Sequence, residues 1–453
     1  MSPEAAPRTS FPEPFDSAAV NLAFVTDTPT DDRWLRAWAV GYAAVGGASV
    51  LLPLYALSLD GGAFLVGLMA STAAFAGVPG AVLWGRIAGK AGRRRPFVLF
   101  ALVATAAVLL VSPLLRSPVA LVAANAALWF AVTAASPVLN LVVVEGVEQS
   151  AWDGRIARLN ALQGWGWLAG LLVGTVWTAA APRLGYTVVS AQRTLLTGLG
   201  LLAVAATLLF VRFYPNATHV SEKRFLRRYR SLSRENWRGD RFLRGIPYGP
   251  SRMYWALRSL RSGRLSERFG RPLLGYFAGT ALFSAGFAVF WGPMPAHLTD
   301  IGFGGGVVFL CFLANTLGST VCYDPVGRLM DRYAAMSLQV GSLVVRAVLF
   351  VITAFLVGEL LVGSVLAGIG VTWAVVAVTT TGIVARLAAE RVRGEALGLV
   401  VAISGIGGGV GNAVGGAVAA ATDPLTTFGL AAVTVLVGGV VAAAAVVPAR
   451  KSA

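Results

Sequence analysis

The chain has 453 residues, of which 56% are hydrophobic and 13% charged, and its mean hydropathy is +0.71. Those values exclude an ordinary soluble globular domain. A formal net charge of +16 would suit a nucleic-acid binder, but the cations lie in stretches between long apolar runs, so no nucleic-acid partner is expected.

Residues 1–36 read as a disordered cytoplasmic tail, with Pro3, Pro7, Pro12 and Pro14 among polar side chains. No positive segment leads into a small-residue cleavage site, so a cleaved signal peptide is not expected. Apolar runs follow near 37–58, 63–84, 96–115, 118–143, 160–181 and 194–213, forming a first unit over 37–213. A basic cytoplasmic linker spans 214–271. Six more runs follow near 272–295, 303–323, 336–357, 360–384, 396–421 and 426–447, forming a second unit over 272–447, and 448–453 is a short cytoplasmic tail. Each run has about the 20 residues that a membrane-spanning helix needs. Backbone groups in lipid must be satisfied within the segment, so the fold class is an all-α membrane protein of twelve transmembrane helices.

Arginines mark alternate loops: 86–95, then Arg155 and Arg158, Arg328 and Arg332, and Arg386, Arg391 and Arg393. The loops between them carry little charge, which puts both termini in the cytoplasm of a multi-pass cell-membrane protein. The linker mixes arginines with Phe225, Tyr229, Trp237, Phe242, Tyr254 and Trp255. Two readings of it stand: a segment lying on anionic membrane lipids, or a solvated basic connector.

The two units are related. Gly85-Arg86-Ile87-Ala88-Gly89-Lys90-Ala91-Gly92-Arg93-Arg94-Arg95 follows the second run, and Gly327-Arg328-Leu329-Met330-Asp331-Arg332-Tyr333 follows the eighth, at an offset of 327 − 85 = 242 residues. Pro53 and Pro295 repeat that offset. Gly164, Gly166, Gly170 and Gly174 recur as Gly405, Gly407, Gly411 and Gly415 at 241. Three matches at nearly one offset indicate an internal duplication. The ladders are expected to open the fifth and eleventh helices and to let helix backbones approach closely.

Two six-helix units, a basic linker and this turn after the second helix resemble the major facilitator superfamily, over about 38–447. The drug-efflux branch is the nearest in look. Gly85, Lys90, Gly92, Arg93 and Arg94 stand at the motif's positions, with Gly89 where an Asp is usual; Gly327, Asp331 and Arg332 match in the second half. The resemblance implies two pseudo-symmetric six-helix bundles working by alternating access. It also implies a cytoplasmic charge latch in which Asp331 takes part, with Glu145 and Glu148 as replacements for the missing acid and Arg158, Arg386 and Arg393 as possible partners. The fifth helix lacks the Gly-Pro of the antiporter motif, and the fourth lacks the arginine of many proton-coupled exporters.

By the same resemblance the first, fourth, seventh and tenth helices line a cavity. Helical spacing groups Tyr42, Gly46, Ser49 and Pro53; Asn125, Trp129, Thr133, Ser136 and Asn140; Thr280, Ser284, Phe287 and Trp291; and Thr372 with Thr379. Tyr42, Asn125, Trp129, Asn140, Phe287, Trp291 and Thr372 are the expected substrate-cavity residues, and helix gluing is the other reading of the same stripes. Arg346 is the one ionisable residue well inside a span; packing or snorkelling is expected for it. For protons as a coupling ion the available groups are Glu145, Asp324, His297 and Glu359, all near span ends.

No catalytic constellation is present, Cys311 and Cys322 lie in an apolar run, and no metal or cofactor is expected. The reading is a monomeric secondary transporter of a small molecule that exports amphipathic compounds, with protons as one option for exchange. The alternatives are an importer or facilitator of a neutral polar solute, and a non-transporting receptor or scaffold.

Overall fold

The computed structural model describes residues 32–90, 95–143, 152–214, 269–389 and 392–446, with backbone alone at 78–90, 137, 141, 152–154, 157, 324, 331 and 394. Among the described residues there are twelve long helices and no strand. They are α1 Arg33–Leu57, α2 Ala63–Lys90, α3 Arg95–Val111, α4 Pro118–Val143, α5 Trp152–Ala180, α6 Val188–Phe213, α7 Arg271–Trp291, α8 Gly305–Arg332, α9 Ala335–Thr353, α10 Glu359–Leu387, α11 Arg393–Ala421 and α12 Pro424–Val446. Ten of the described helical segments are long and apolar enough to cross a membrane; the described apolar part of α2, Ala63–Gly77, is shorter, and α5 opens on charged and amide side chains.

Several boundaries depart from the sequence reading; the second and eighth helices, for example, run on to Lys90 and Arg332, so the described parts of the expected turns there are helical. α1 begins at Arg33, within the expected tail, because Trp34 and Leu35 are almost fully buried. The fifth helix begins at Trp152 and α11 at Arg393, so both glycine ladders lie mid-helix and do not open their helices. Pro113 turns the end of α3 into a 3-10 segment, Ser112–Leu114. The seventh run breaks at Gly292-Pro293 into α7 and a short helix, Met294–Asp300, since proline lacks the N–H that a continuous helix needs. By contrast Pro53, the counterpart of Pro295, sits inside an unbroken α1.

The halves share one packing plan. α1 packs on α5 and α6, α2 on α4, and α3 on α4 and α6; α7 packs on α11 and α12, α8 on α10, and α9 on α10 and α12. The ladders explain the first of these pairings. A Cβ at Gly166 or Gly170 would run into the carbonyl oxygens of Ala39 and Ala43, and one at Gly407, Gly411 or Gly415 into those of Ala281, Ala285 and Val289. Only glycine lets these backbones approach so closely. Gly174 instead meets the Phe309 ring on α8, and nothing stands within 4 Å of a Cβ at Gly164, which removes Gly164 from the packing set.

Between halves, α2 packs on α11 and α5 on α8, a pseudo-twofold exchange of equivalent helices. The glycine contacts there lie on one side of the molecule, that of the 58–62 loop: Gly67 against Gly416 and Asn412, Gly409 against the Phe75 ring, Gly174 against Phe309, Gly305 against Thr178 and Gly306 against Ala179. The buried apolar residues follow suit. One cluster runs from Leu51, Tyr55, Met69 and Leu171 into Phe290, Met294, Phe309 and Phe350, crossing from half to half. At the opposite side there are two clusters, one per half. Trp34, Leu102, Leu139 and Phe210 belong to the first, and Tyr276, Val326, Met330 and Leu399 to the second. The bundles are joined at one end and keep separate cores at the other.

Candidate functional site

The space between the separate cores is bounded by the faces of α1 and α7 that their partners leave uncovered. On α1, Ala39, Ala43 and Gly46 meet α5, and Gly41 meets α3 and α6. Tyr42, Ser49 and Pro53 share another face and stay partly exposed. Trp167 of α5 joins Tyr42 at 5.9 Å between ring centroids and Trp129 of α4 at 6.2 Å; Trp38 lies 6.0 Å from Tyr42. The structure thus brings the sequence-predicted Tyr42 and Trp129 together through a tryptophan that the sequence stripes missed. Trp167 stands inside the glycine ladder, which had been read for packing alone.

In the second half, Ser284 and Trp291 share the partly exposed face of α7. Phe287 is buried beside them, edge-on to Trp373 of α10 at 6.0 Å and to Phe350 of α9 at 6.5 Å. Trp291 packs on Phe312 of α8 at 5.4 Å, at the joined end. Trp373, next to Thr372, was also missed.

The hydroxyls and amides expected to line the cavity are largely engaged elsewhere. Thr280 bonds Tyr276 O at 2.9 Å, Thr372 bonds Ile369 O at 2.7 Å, and Thr379 bonds Val375 O at 2.7 Å, all within their own helices. A helical threonine hydroxyl commonly bonds back to the carbonyl of the preceding turn in this way. Thr133 reaches Trp129 O and Gly77 O. Asn125 is 4% exposed and donates to Met69 O at 3.0 Å, tying α4 to α2; such bonds contribute about 0.6 kcal/mol each. Thr372 and Asn125 therefore stand in the helix packing. Asn140 remains partly exposed on α4.

Arg346 does not snorkel. It is 1% exposed, with its guanidinium carbon 4.1 Å from the Phe287 ring centroid, 5.6 Å from Phe350 and 5.7 Å from Trp373. Aromatic faces attract a cation by about 2 kcal/mol when water is excluded. One turn away, Ser342 donates to Thr372 O at 3.0 Å, and Gln339 bonds the Tyr276 hydroxyl at 2.9 Å and Thr380 at 2.8 Å. Gln339, Ser342 and Arg346, at i, i+3 and i+7, form a polar stripe on α9 that turns inward onto α7 and α10. That spacing was legible in the sequence. Among the described residues the buried acidic, basic or histidine side chains are Asp32, His297 and Arg346. His297 packs edge-on to Phe428 at 4.9 Å, at the joined end, and its Nε2 makes no hydrogen bond. Glu359 is exposed.

The charge-latch residues are only partly described. Gly92, Arg93, Arg94, Glu145 and Glu148 lie outside the described residues, as does most of the linker; Gly85 and Lys90 on α2, and Asp331 and Asp324 on α8, are described in backbone alone. Gly327 and Arg332 end α8 at the side of the separate cores. Among the described residues Arg158 pairs within the first half. Its Nη1 lies 3.0 Å from Asp32, which Arg155 also pairs at 3.2 Å, so the three residues tie α1 to α5 within the first half. No group of three or more His, Cys, Asp or Glu residues placed to hold a metal occurs among the described residues.

Two pseudo-symmetric six-helix bundles, joined by equivalent helices at one end, define the class: an integral membrane protein with the fold of the major facilitator transporters. Residues 276–453 match the family profile "Major Facilitator Superfamily". Among solved structures the chain is similar to the nucleoside transporter NupG, in a mutant form with a TM-score of 0.67 and in another crystal structure with 0.65. Each comparison is at 13% identity and covers 91% of this chain and 98% of that one. No curated protein sequence matches it.

Proposed function

We propose that the chain is a secondary transporter that moves a ring-bearing, amphipathic solute without positive charge by alternating access. One observation carries the mechanism. The halves share a single apolar cluster at the end bearing the 58–62 loop and keep separate clusters at the other. Rocking the two rigid units about the cleft exchanges which end is joined, and the solute site then faces each side in turn. With arginine-rich loops inside, the joined end is extracellular and the described state opens to the cytoplasm.

The substrate class follows from the walls. Tyr42, Trp129 and Trp167 in one half, and Phe287 and Trp373 in the other, offer ring faces and edges. The permanent cation of Arg346 directly behind Phe287 disfavours a second cation in a low-dielectric cleft. The likeness of the 85–95 sequence to efflux proteins supports export as the direction. Nucleosides are neutral and ring-bearing, and with NupG as a structural neighbour they are the first solutes to test.

The test is counterflow in liposomes containing the purified chain, with labelled nucleosides, neutral aromatic drugs and lipophilic cations in parallel. Accumulation of one neutral class, competed by others of that class and not by cations, is the expected result. Cation-selective exchange would overturn the substrate reading, and the absence of any movement in liposomes shown to hold folded protein would overturn the transporter reading.

A further inference from the structure

The open-end corner of the first half, where α1 and α3 begin and α6 ends, gathers four arginines. Arg33, Arg36 and Arg212 are exposed there, and Arg95 is partly so. Three of the guanidinium groups rest on aromatic rings: Arg33 and Arg212 flank Phe213 at 5.6 and 5.8 Å, and Arg95 lies 5.9 Å from the Tyr214 ring. Beneath them Trp34 packs against Phe210 at 6.2 Å and Tyr214 at 5.8 Å. Arg95 is further fixed by donating Nη2 to Val211 O at 2.7 Å, while its Nε is buried and makes no hydrogen bond. The nearby acid, Asp32, is turned to Arg155 and Arg158.

The duplication shows that the fold does not require this cluster. At an offset of 242 the second half has Gly275, Ala278 and Ser337 where the first has Arg33, Arg36 and Arg95. Four cations, three of them held on aromatic rings, at a membrane boundary match the headgroup zone, where rings sit in the interface and arginines reach phosphate. The N-terminal ends of α1 and α3 add positive dipole ends at the same place.

We infer that the corner formed by Arg33, Arg36, Arg95 and Arg212 binds the phosphate headgroup of an anionic phospholipid from the cytoplasmic leaflet. The bound lipid bridges α1, α3 and α6 beside the point where the linker leaves the first half. The site is independent of the transported solute.

The full-length protein, stripped of lipid in a neutral detergent, is titrated with phosphatidylglycerol and with phosphatidylcholine, and bound lipids are counted by native mass spectrometry. Phosphatidylglycerol is expected to bind more tightly. The double variant R33Q/R212Q, altered only at exposed side chains, should weaken that binding about thirtyfold, the loss expected for two surface cations. The variant R328Q/R332Q, altered at the second half's exposed arginines, should leave it unchanged. Equal binding of the two lipids, or an equal loss in both double variants, overturns the site. Displacement by millimolar inorganic phosphate at constant ionic strength would assign free phosphate as ligand and overturn the lipid.

Discussion

Where α1 presents Tyr42 and Ser49, α7 presents at the same register Ser284 and Trp291; where α1 buries Tyr55, the second half buries His297. The Tyr55 hydroxyl donates to Leu115 O at 3.0 Å and accepts from Arg193 at 2.9 Å, whereas His297 Nε2 has no hydrogen bond. The α9 stripe of Gln339, Ser342 and Arg346 has Phe97, Phe100 and Ala104 as its counterparts on α3. At the open end the order reverses. The first half joins Asp32 to two arginines, and the second places Leu274, Ala396 and Leu399 at the equivalent positions. Duplication preserved the backbone contacts that small residues make possible and left side-chain chemistry free to diverge. The two halves therefore bury different polar groups at equivalent positions.

Breaking the shared part should have the largest effect. Gly170→Val and Gly411→Val each force a side chain into a backbone carbonyl on α1 or α7. Each is expected to cost at least about 1–3 kcal/mol and to abolish monodisperse protein in size-exclusion chromatography. Gly164→Val, with open space at its Cβ, should behave as wild type. Unequal outcomes for Gly170 and Gly411 would break the claim that the two pairings are equivalent.

Arg346→Ala gives the second half the residue of the first. It removes a desolvated cation–π group worth about 2 kcal/mol, so the thermal midpoint in detergent should fall by several degrees. Counterflow of lipophilic cations should rise, since the cation behind Phe287 is gone. An unchanged cation rate would detach Arg346 from selectivity.

A smaller loss is expected for Asp32→Asn. Arg155 and Arg158 lose their partner at a buried carboxylate, but Arg158 is 45% exposed, so about 1 kcal/mol is expected, well below the figure for a fully buried pair. Asp32→Leu, which imitates Leu274, should fall further unless Arg155 and Arg158 are replaced by apolar residues as well.

The smallest effect concerns the caps of the equivalent last helices. α12 begins at Asp423, whose carboxylate accepts from the Thr426 backbone N–H at 2.9 Å and the Thr426 hydroxyl at 2.8 Å, which hold its pKa below the ordinary value. α6 is capped by the neutral Thr187, through Ser190 N at 3.3 Å. A carboxyl with a depressed folded pKa stabilises above its unfolded value, about 3.9, and that contribution is lost as pH falls through the folded value. Amide exchange at the start of α12 should therefore accelerate at acid pH relative to the start of α6, and Asp423→Asn should remove the difference.

Much of this architecture was legible because lipid imposes strict rules. Helix-length apolar runs, the 242-residue offset and the ladders yielded twelve helices, two halves and close backbone approach at the glycines; which helices the glycines meet came from the structure. The break at Gly292-Pro293 was missed, although Pro293 itself signalled it, because hydropathy averages over a single residue. Of the site residues, Tyr42, Trp129, Phe287 and Trp291 stand among aromatic neighbours, whereas Asn125 and Thr372 serve the packing. A stripe shows which residues share a face; whether that face meets another helix or the cleft depends on how far each helix is rotated in the bundle.

The sequence alone determined the class of solvent around the chain, the number and order of its helices, their duplication and the close approach at the glycines, since each rests on composition or local spacing. Only the tertiary structure decided that the halves join at one end and part at the other, that Trp167 and Trp373 complete the aromatic walls, and that Arg346 turns inward onto Phe287. Those outcomes depend on contacts between residues far apart in the chain, and no local pattern encodes the rotation and tilt that bring them together.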